Sequence, residues 1–182
     1  MKTVGCLLSF LLLFVVCATA QQGAPGLKRV IVIRHAEKPQ NGDNLSCKGL
    51  NRALELTDLL KKKIDIPDYI FVPTINTGKN TSTARMYQTI VPFAVKYNLT
   101  VNTKYNVDDT KDLAKDVLKR NGTVLLVWEH DRIDNIVKAL GVQNVPKWPG
   151  NDFDSIWIID FENGKATMRK DREGINPAAD CK

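Results

Sequence analysis

The run Val30-Ile31-Val32-Ile33-Arg34-His35 decides the fold that this sequence is expected to adopt. Its four consecutive β-branched residues predict a strand that is buried on both faces, as in parallel sheets covered by helices on either side. A second apolar run, Leu125-Leu126-Val127-Trp128-Glu129-His130, also ends in a histidine. The two runs therefore predict an α/β fold in which reactive groups gather beyond the carboxyl ends of the strands.

The segments around these runs alternate in a way that fits such a sheet. Apolar residues spaced by threes and fours predict helices over residues 50–66, 84–97, 110–119 and 133–140. Strands are expected at Arg29–Ile33, Tyr69–Val72, Thr123–Trp128, Ser155–Phe161 and Ala166–Arg169. Pro92 should kink or restart the second helix, and Asn163-Gly164 is a strong hairpin signal. We expect a three-layer α/β/α domain with a mostly parallel central sheet and an antiparallel edge hairpin.

The first twenty residues resemble an export signal rather than part of the domain. A short, positively charged start precedes an apolar run from Leu7 to Val16, and Ala18-Thr19-Ala20 has the pattern of a cleavage site. A transmembrane helix needs about 20 apolar residues, so stable membrane insertion is not expected. A lipid anchor on Cys17 is disfavoured by the bulky residue before it. We expect cleavage after Ala20, a single domain over residues 21–182, and a secreted or periplasmic location.

Two further features suit an exported chain. Cleavage would remove two of the four cysteines and leave Cys47 and Cys181, for which an oxidising compartment makes a disulfide plausible. In a eukaryotic secretory pathway the chain would also offer four glycosylation sequons, at Asn44, Asn80, Asn98 and Asn121.

The charge balance favours small anionic partners over nucleic acid. The formal net charge of +6 is spread along the chain, and Lys61-Lys62-Lys63 is the only basic run. That run is typical of the solvated end of a helix. A mild positive field would steer an anionic small molecule towards the protein.

His35 and His130 are the only two histidines of the chain, and each follows a predicted core strand. If the two strands are neighbours, both imidazoles face one cleft. They could bind Zn²⁺ together with a carboxylate from Glu37, Glu129 or Asp131. The adjacent Arg34 argues against a cation and favours a phosphate group, because its rigid fork of donors matches phosphate oxygens.

Several segments resemble, in order, the motifs of the histidine phosphatase superfamily, also called phosphoglycerate mutase-like. The segments are Arg34-His35-Ala36-Glu37-Lys38-Pro39, Leu45-Ser46-Cys47-Lys48-Gly49-Leu50, Ser82-Thr83-Ala84-Arg85-Met86-Tyr87-Gln88-Thr89, and Val127-Trp128-Glu129-His130 followed by a helix and Leu140-Gly141. The first motif is weak alone, whereas the ordered set spans nearly all of residues 21–182.

The resemblance implies a phosphate-ester hydrolase that needs neither metal nor organic cofactor. His35 would be the nucleophile that becomes phosphorylated, and Arg34, Arg85 and His130 would hold the phosphoryl group. Asn41 could be a fifth pocket residue by its distance from His35, although its loop could equally be a spacer. The substrate would be an anionic phosphorylated small molecule or a phosphoprotein.

The proton donor to the leaving group is left open by the sequence. General acid catalysis needs reach and a suitable pKa, and neither is visible in a sequence. The candidates are Asp131, Glu129, Glu37, Asp108 and Asp109. Two alternatives therefore stay open: a phosphoglycerate-type phosphomutase, and a non-catalytic secreted module that binds anions. The mutase is disfavoured because it needs a lid or long tail, and only residues 170–182 follow the hairpin.

Overall fold

A computed structural model describes residues 26–75 and 83–181. The expected export signal and the sequon at Asn80 lie outside these residues. In chain order the elements are β1 (Leu27–Arg34), α1 (Cys47–Ile64), β2 (Tyr69–Phe71), α2 (Ala84–Lys96), β3 (Val101–Asn102), α3 (Thr110–Val117), β4 (Gly122–Trp128), α4 (His130–Ala139), β5 (Ser155–Glu162) and β6 (Lys165–Arg172). Within the described ranges, no helix has the length and apolar character needed to span a membrane.

The strands form one mixed sheet in the order β3-β2-β4-β1-β5-β6. β3, β2, β4 and β1 run parallel to one another, whereas β5 pairs antiparallel with β1 and β6 antiparallel with β5. The β5–β6 turn has positive φ angles at Asn163 (50°) and Gly164 (75°), which is the backbone geometry that tight hairpins require. The predicted mostly parallel sheet with an antiparallel edge hairpin is therefore confirmed.

The sheet is covered on both faces, which explains why β1 is apolar at consecutive positions. Val30 and Val32 face a core that includes Leu113 of α3 and Ile133 of α4. The alternate residues of β1 face a second core, which α1 and α2 supply on the opposite side of the sheet. Each face buries every second side chain of the strand. The predicted three-layer α/β/α architecture is confirmed.

Two local features differ from the sequence-based expectation. The helix α2 continues through Pro92 and does not restart there. Ile90 and Phe93 on either side of it are fully buried, so tertiary packing outweighs the hydrogen bond that proline removes. The short strand Val101–Asn102 was not predicted, because a two-residue pairing with β2 leaves no periodic pattern in the sequence.

The C-terminal tail is fastened to the start of α1. Cys47 and Cys181 form a disulfide with Cα atoms 4.7 Å apart, as expected. The Asn51 side-chain amide donates hydrogen bonds to the carbonyls of Ala178 (2.9 Å) and Asp180 (2.8 Å). The tail therefore crosses from the end of the hairpin to the first turns of α1.

Replacing both cysteines, Cys47→Ser with Cys181→Ser, should lower the free energy of unfolding by about 2–5 kcal/mol, because the cross-link restricts the unfolded chain over a long loop. Urea unfolding of the double variant beside the oxidised wild type measures the difference. Wild type treated with a reductant should unfold at the midpoint of the double variant. Two reactive thiols in native, unreduced protein would contradict the pairing.

Candidate active site

The pairing of β1 with β4 places the two histidines at the same edge of the sheet. The strands are parallel neighbours with Arg34 opposite Trp128, and the His35 amide donates to the Trp128 carbonyl at 3.1 Å. His130 begins α4 two residues beyond Trp128. Gly150 links the two sides: its carbonyl accepts from Arg34 Nη1 at 2.7 Å, and a Cβ added to it would lie 3.7 Å from His130 Nε2.

The imidazole of His35 is held in its neutral form. Its ring is almost fully buried, and Nδ1 lies 2.7 Å from the Ala36 carbonyl. A carbonyl can only accept, so Nδ1 carries the proton and Nε2 keeps its lone pair. Burial, with the charges of Arg34, Arg85 and His130 acting in the same direction and the Ala36 hydrogen bond opposing, lowers the pKa of His35 to about 4.

The guanidinium of Arg34 lies between this ring and the segment that precedes β5. It stacks on Phe153, with its central carbon 3.8 Å from the ring centroid, and Nη1 also lies 3.3 Å from the Asp152 carbonyl. Its Nε is buried and has no hydrogen-bond partner within the described residues. Burial lowers the pKa of Arg34 to about 10, an effect opposed first by Glu129, so the group stays cationic at neutral pH. An unpartnered donor on a buried cation favours an anionic ligand.

The helix α2 supplies the second arginine. Arg85 is buried in its first turn, and Nη2 donates to the Gly42 carbonyl at 2.8 Å. One turn later, the Thr89 hydroxyl donates to the Arg85 carbonyl (2.8 Å) and accepts from the Ala36 amide (2.9 Å). The main chain after His35 and the start of α2 are thereby held together. Asn41 lies beside Gly42, exposed, and its side chain makes no hydrogen bond within the described ranges.

Burial and several neighbouring charges shift the pKa of His130. Burial lowers its pKa, and the charges of Arg34 and Lys38 act in the same direction, whereas Asp131 and Glu129 oppose them. Its Nδ1 is buried without a partner among the residues described. Donor atoms of Glu129, His130 and Asp131 lie within 4.8 Å of one another, close enough to share a metal ion. The positive charges of Arg34 and Lys38 disfavour a cation at this position.

The carboxylate of Glu37 is fully engaged in a buried network. Arg52 holds it in a bidentate pair, with both N–O distances at 2.9 Å, and reaches Glu173 at 2.5 Å with its other nitrogen. Burial alone would lower the pKa of Arg52, but the two carboxylates raise it above the ordinary value. Burial raises the pKa of Glu173 to about 8, with Arg52 opposing. Glu37 therefore positions the loop after His35.

The other four acid candidates lie near the start of α4. Asp108 and Asp131 both pair with Arg132, at 2.5 and 3.0 Å, and are largely exposed. Asp109 accepts hydrogen bonds from the backbone and side chain of a neighbouring asparagine. Glu129 is half-buried and makes no side-chain hydrogen bond or ion pair with any residue in the described ranges. Its carboxylate lies within 4.8 Å of a ring nitrogen of His130, and its negative charge opposes the fall in the Arg34 pKa.

The segment around Gly150 and Phe153 contributes to the site without having been predicted. The ring of Phe153 stacks on Arg34 and approaches the His35 ring edge-on, with centroids 6.0 Å apart. No periodic pattern marks this stretch, because it belongs to neither α4 nor β5.

The edge of the mixed sheet at which β1 and β4 end carries Arg34, His35 and His130. No family model and no curated protein matches the sequence. Solved structures with a phosphoglycerate mutase-like fold do match.

Mycobacterial glucosyl-3-phosphoglycerate phosphatase with inorganic phosphate has a TM-score of 0.57 at 15% identity, over 79% of this chain and 95% of its own. Phosphoserine phosphatase from Entamoeba histolytica in complex with phosphoserine has a TM-score of 0.55 at 14% identity, over 80% and 96%. Phosphoglycerate mutase from Bacillus anthracis has a TM-score of 0.50 at 13% identity, over 80% and 92%. At such identities the likeness shows the fold.

The ring of His35 should titrate with a midpoint near 4, about two units below an ordinary histidine, because its charged form would be buried among other cations. The chain has only two histidines, so NMR of the ring protons resolves both titrations. A His130→Gln variant assigns the two signals. A His35 midpoint between 6 and 7 would contradict the described environment.

Proposed function

We propose that this protein is a phosphatase that hydrolyses phosphomonoesters through a phosphohistidine intermediate on His35, without a metal ion. The observation that carries the proposal is the state of His35, which is neutral with the lone pair of Nε2 free. A nucleophile of this kind beside two guanidiniums suits attack on a phosphate ester.

The first step transfers the phosphoryl group to the protein. Nε2 of His35 attacks phosphorus and forms a P–N bond while the P–O bond of the ester breaks. The electron pair of that bond goes to the leaving oxygen, which takes a proton from an acid. Arg34, Arg85 and His130 stabilise the negative charge on the remaining phosphoryl oxygens.

The second step returns the protein to its starting state. Water attacks phosphorus and passes a proton to the conjugate base of the acid that acted in the first step. The P–N bond breaks, its electron pair returns to Nε2, and inorganic phosphate forms. The proton stays on Nδ1, hydrogen-bonded to the Ala36 carbonyl, throughout, which keeps the reactive nitrogen the same in both steps.

Glu129 is the best-supported proton donor. Glu37 is held by Arg52, and Asp108 and Asp131 are held by Arg132. Glu129 has no such partner among the described residues, and its charge acts on Arg34 and His130. A carboxyl group that is free of ion pairs can exchange a proton without breaking one.

The same proposal includes where the protein works and what it acts on. The disulfide and the expected cleavage after Ala20 support a secreted or periplasmic enzyme. Its substrate would be a phosphorylated small molecule or a phosphoprotein that reaches the exposed mouth of the site.

His35→Ala should abolish turnover of 4-nitrophenyl phosphate, because the covalent route is lost. Rapid acid-free quenching of wild type with ³²P-labelled substrate should trap one acid-labile phosphoryl group per chain, on His35. Chelator treatment should leave the rate unchanged. Wild type that binds inorganic phosphate and hydrolyses no aryl phosphate would instead be an anion-binding module. Loss of activity with chelator, restored by a divalent metal, would favour a metal at Glu129, His130 and Asp131.

Glu129→Gln should lower the rate on an alkyl phosphate by about a hundredfold or more, since an alkoxide must be protonated as it leaves. On 4-nitrophenyl phosphate the loss should stay below about tenfold, because nitrophenolate leaves without help. Steady-state rates on the two substrates give the ratio. Asp131→Asn serves as the matched control and should leave that ratio unchanged. If instead Asp131→Asn changes the ratio and Glu129→Gln does not, Asp131 is the proton donor.

A further inference from the structure

A cavity of about 590 Å³ lies next to the catalytic site. Its walls come from Glu37, from Lys48 in the first turn of α1, from the segment before β5, and from Arg172 at the end of β6. The carboxyl end of β1 and the start of β5 lie at one edge of the sheet, because these strands are antiparallel. The cavity is therefore at the catalytic edge, on the β5–β6 side, and its volume suits a small ligand.

The cavity and the phosphate site share a wall. Phe153 lines the cavity and also stacks on Arg34, and its ring lies 6.0 Å from that of His35. Glu37, two residues after His35, lines it as well. A phosphoryl group held by Arg34 therefore lies at the border of the cavity, and the rest of a substrate can extend into it.

Most charged groups in the cavity wall are already held by ion pairs or hydrogen bonds. Glu37 pairs with Arg52, and Arg172 pairs with Asp154 at 3.0 Å. The Asp152 carboxylate accepts hydrogen bonds from the Ser155 hydroxyl at 2.6 Å and from two backbone amides.

Lys48 is the exception. Its ammonium group makes no ion pair or hydrogen bond with any residue that the structure describes. Asn151 beside it also has a free side-chain amide within those residues. Within the described residues, Lys48 is therefore the cation of the wall that has no ion-pair partner, and Phe153 lines the same cavity. An unpaired ammonium group near an aromatic ring favours an organic anion.

We propose that this cavity selects substrates that carry a second anionic group, a carboxylate or a phosphate, on the part that leaves. Lys48 binds this group, with Asn151 as an additional donor, and Phe153 packs against the carbon skeleton. The assignment rests on the proposed phosphatase function and names the substrate class that the same site prefers.

The test compares substrates that differ in a single group: phenyl phosphate, 4-carboxyphenyl phosphate and hydroquinone bisphosphate. Wild type should show a higher kcat/KM on the anionic derivatives. Lys48→Gln should reduce that preference about tenfold, mainly through KM, and leave phenyl phosphate unaffected. Lys48→Arg should retain the preference, Lys48→Glu should reverse it, and added salt should weaken it. The two anionic substrates show whether a carboxylate or a phosphate is preferred.

Lys62→Gln is the matched control, since Lys62 is an exposed lysine near the far end of the same helix. It should behave as wild type on all three substrates. Wild type that hydrolyses phenyl phosphate with no preference for the anionic derivatives overturns the substrate class and leaves the phosphatase standing. An equal loss on all three substrates in Lys48→Gln also overturns it, as a general structural effect. Wild type that hydrolyses none of them overturns both proposals.

Discussion

The parallel pairing of β1 with β4 is the constraint on which the rest of the structure depends. It is stabilised by side chains buried on both faces, and its register sets Arg34 opposite Trp128. Because the strands run in the same direction, the chain leaves both at one edge. His35 follows one strand and His130 follows the other, so the pairing brings together two side chains that are far apart in the sequence. Slippage of either strand would turn buried side chains away from their cores and disperse the site.

The assembled site concentrates positive charge in a buried place. Two guanidiniums and a second imidazole surround His35, and the protein accommodates them by keeping His35 neutral and by directing carbonyl groups at the arginines. Carbonyl groups orient the guanidiniums without neutralising them. An anion that enters gains attraction from fixed cations that have already been desolvated and positioned. The electrostatics of this edge of the sheet therefore favour an anionic ligand.

A second buried network stabilises the side of the site that faces the cavity. Arg52 joins Glu37, two residues after His35, to Glu173, just after the last strand. The disulfide between Cys47 and Cys181 fastens the following tail to the same helix. Removing one partner of a buried ion pair leaves an uncompensated charge, so this network resists local change. The C-terminal segment thereby contributes to the geometry of the loop that carries His35.

The three layers, the disulfide and all the described strands except the short β3 could be predicted, because each follows from local patterns or from the number of cysteines. The sequence by itself determined that β1 and β4 are buried strands, since consecutive β-branched residues leave few other conformations. It also placed Arg34 and His35 at a strand end. Only the tertiary structure decided which of the five candidate carboxylates makes no ion pair or hydrogen bond with a described residue. Arg52 and Arg132 pair with acidic residues that are distant from them in the chain. The tertiary structure alone also decided that Phe153 stacks on Arg34 and that Lys48 has no partner in the cavity among the described residues. Such contacts depend on packing between elements, and no periodicity in the chain records which side chains will meet there.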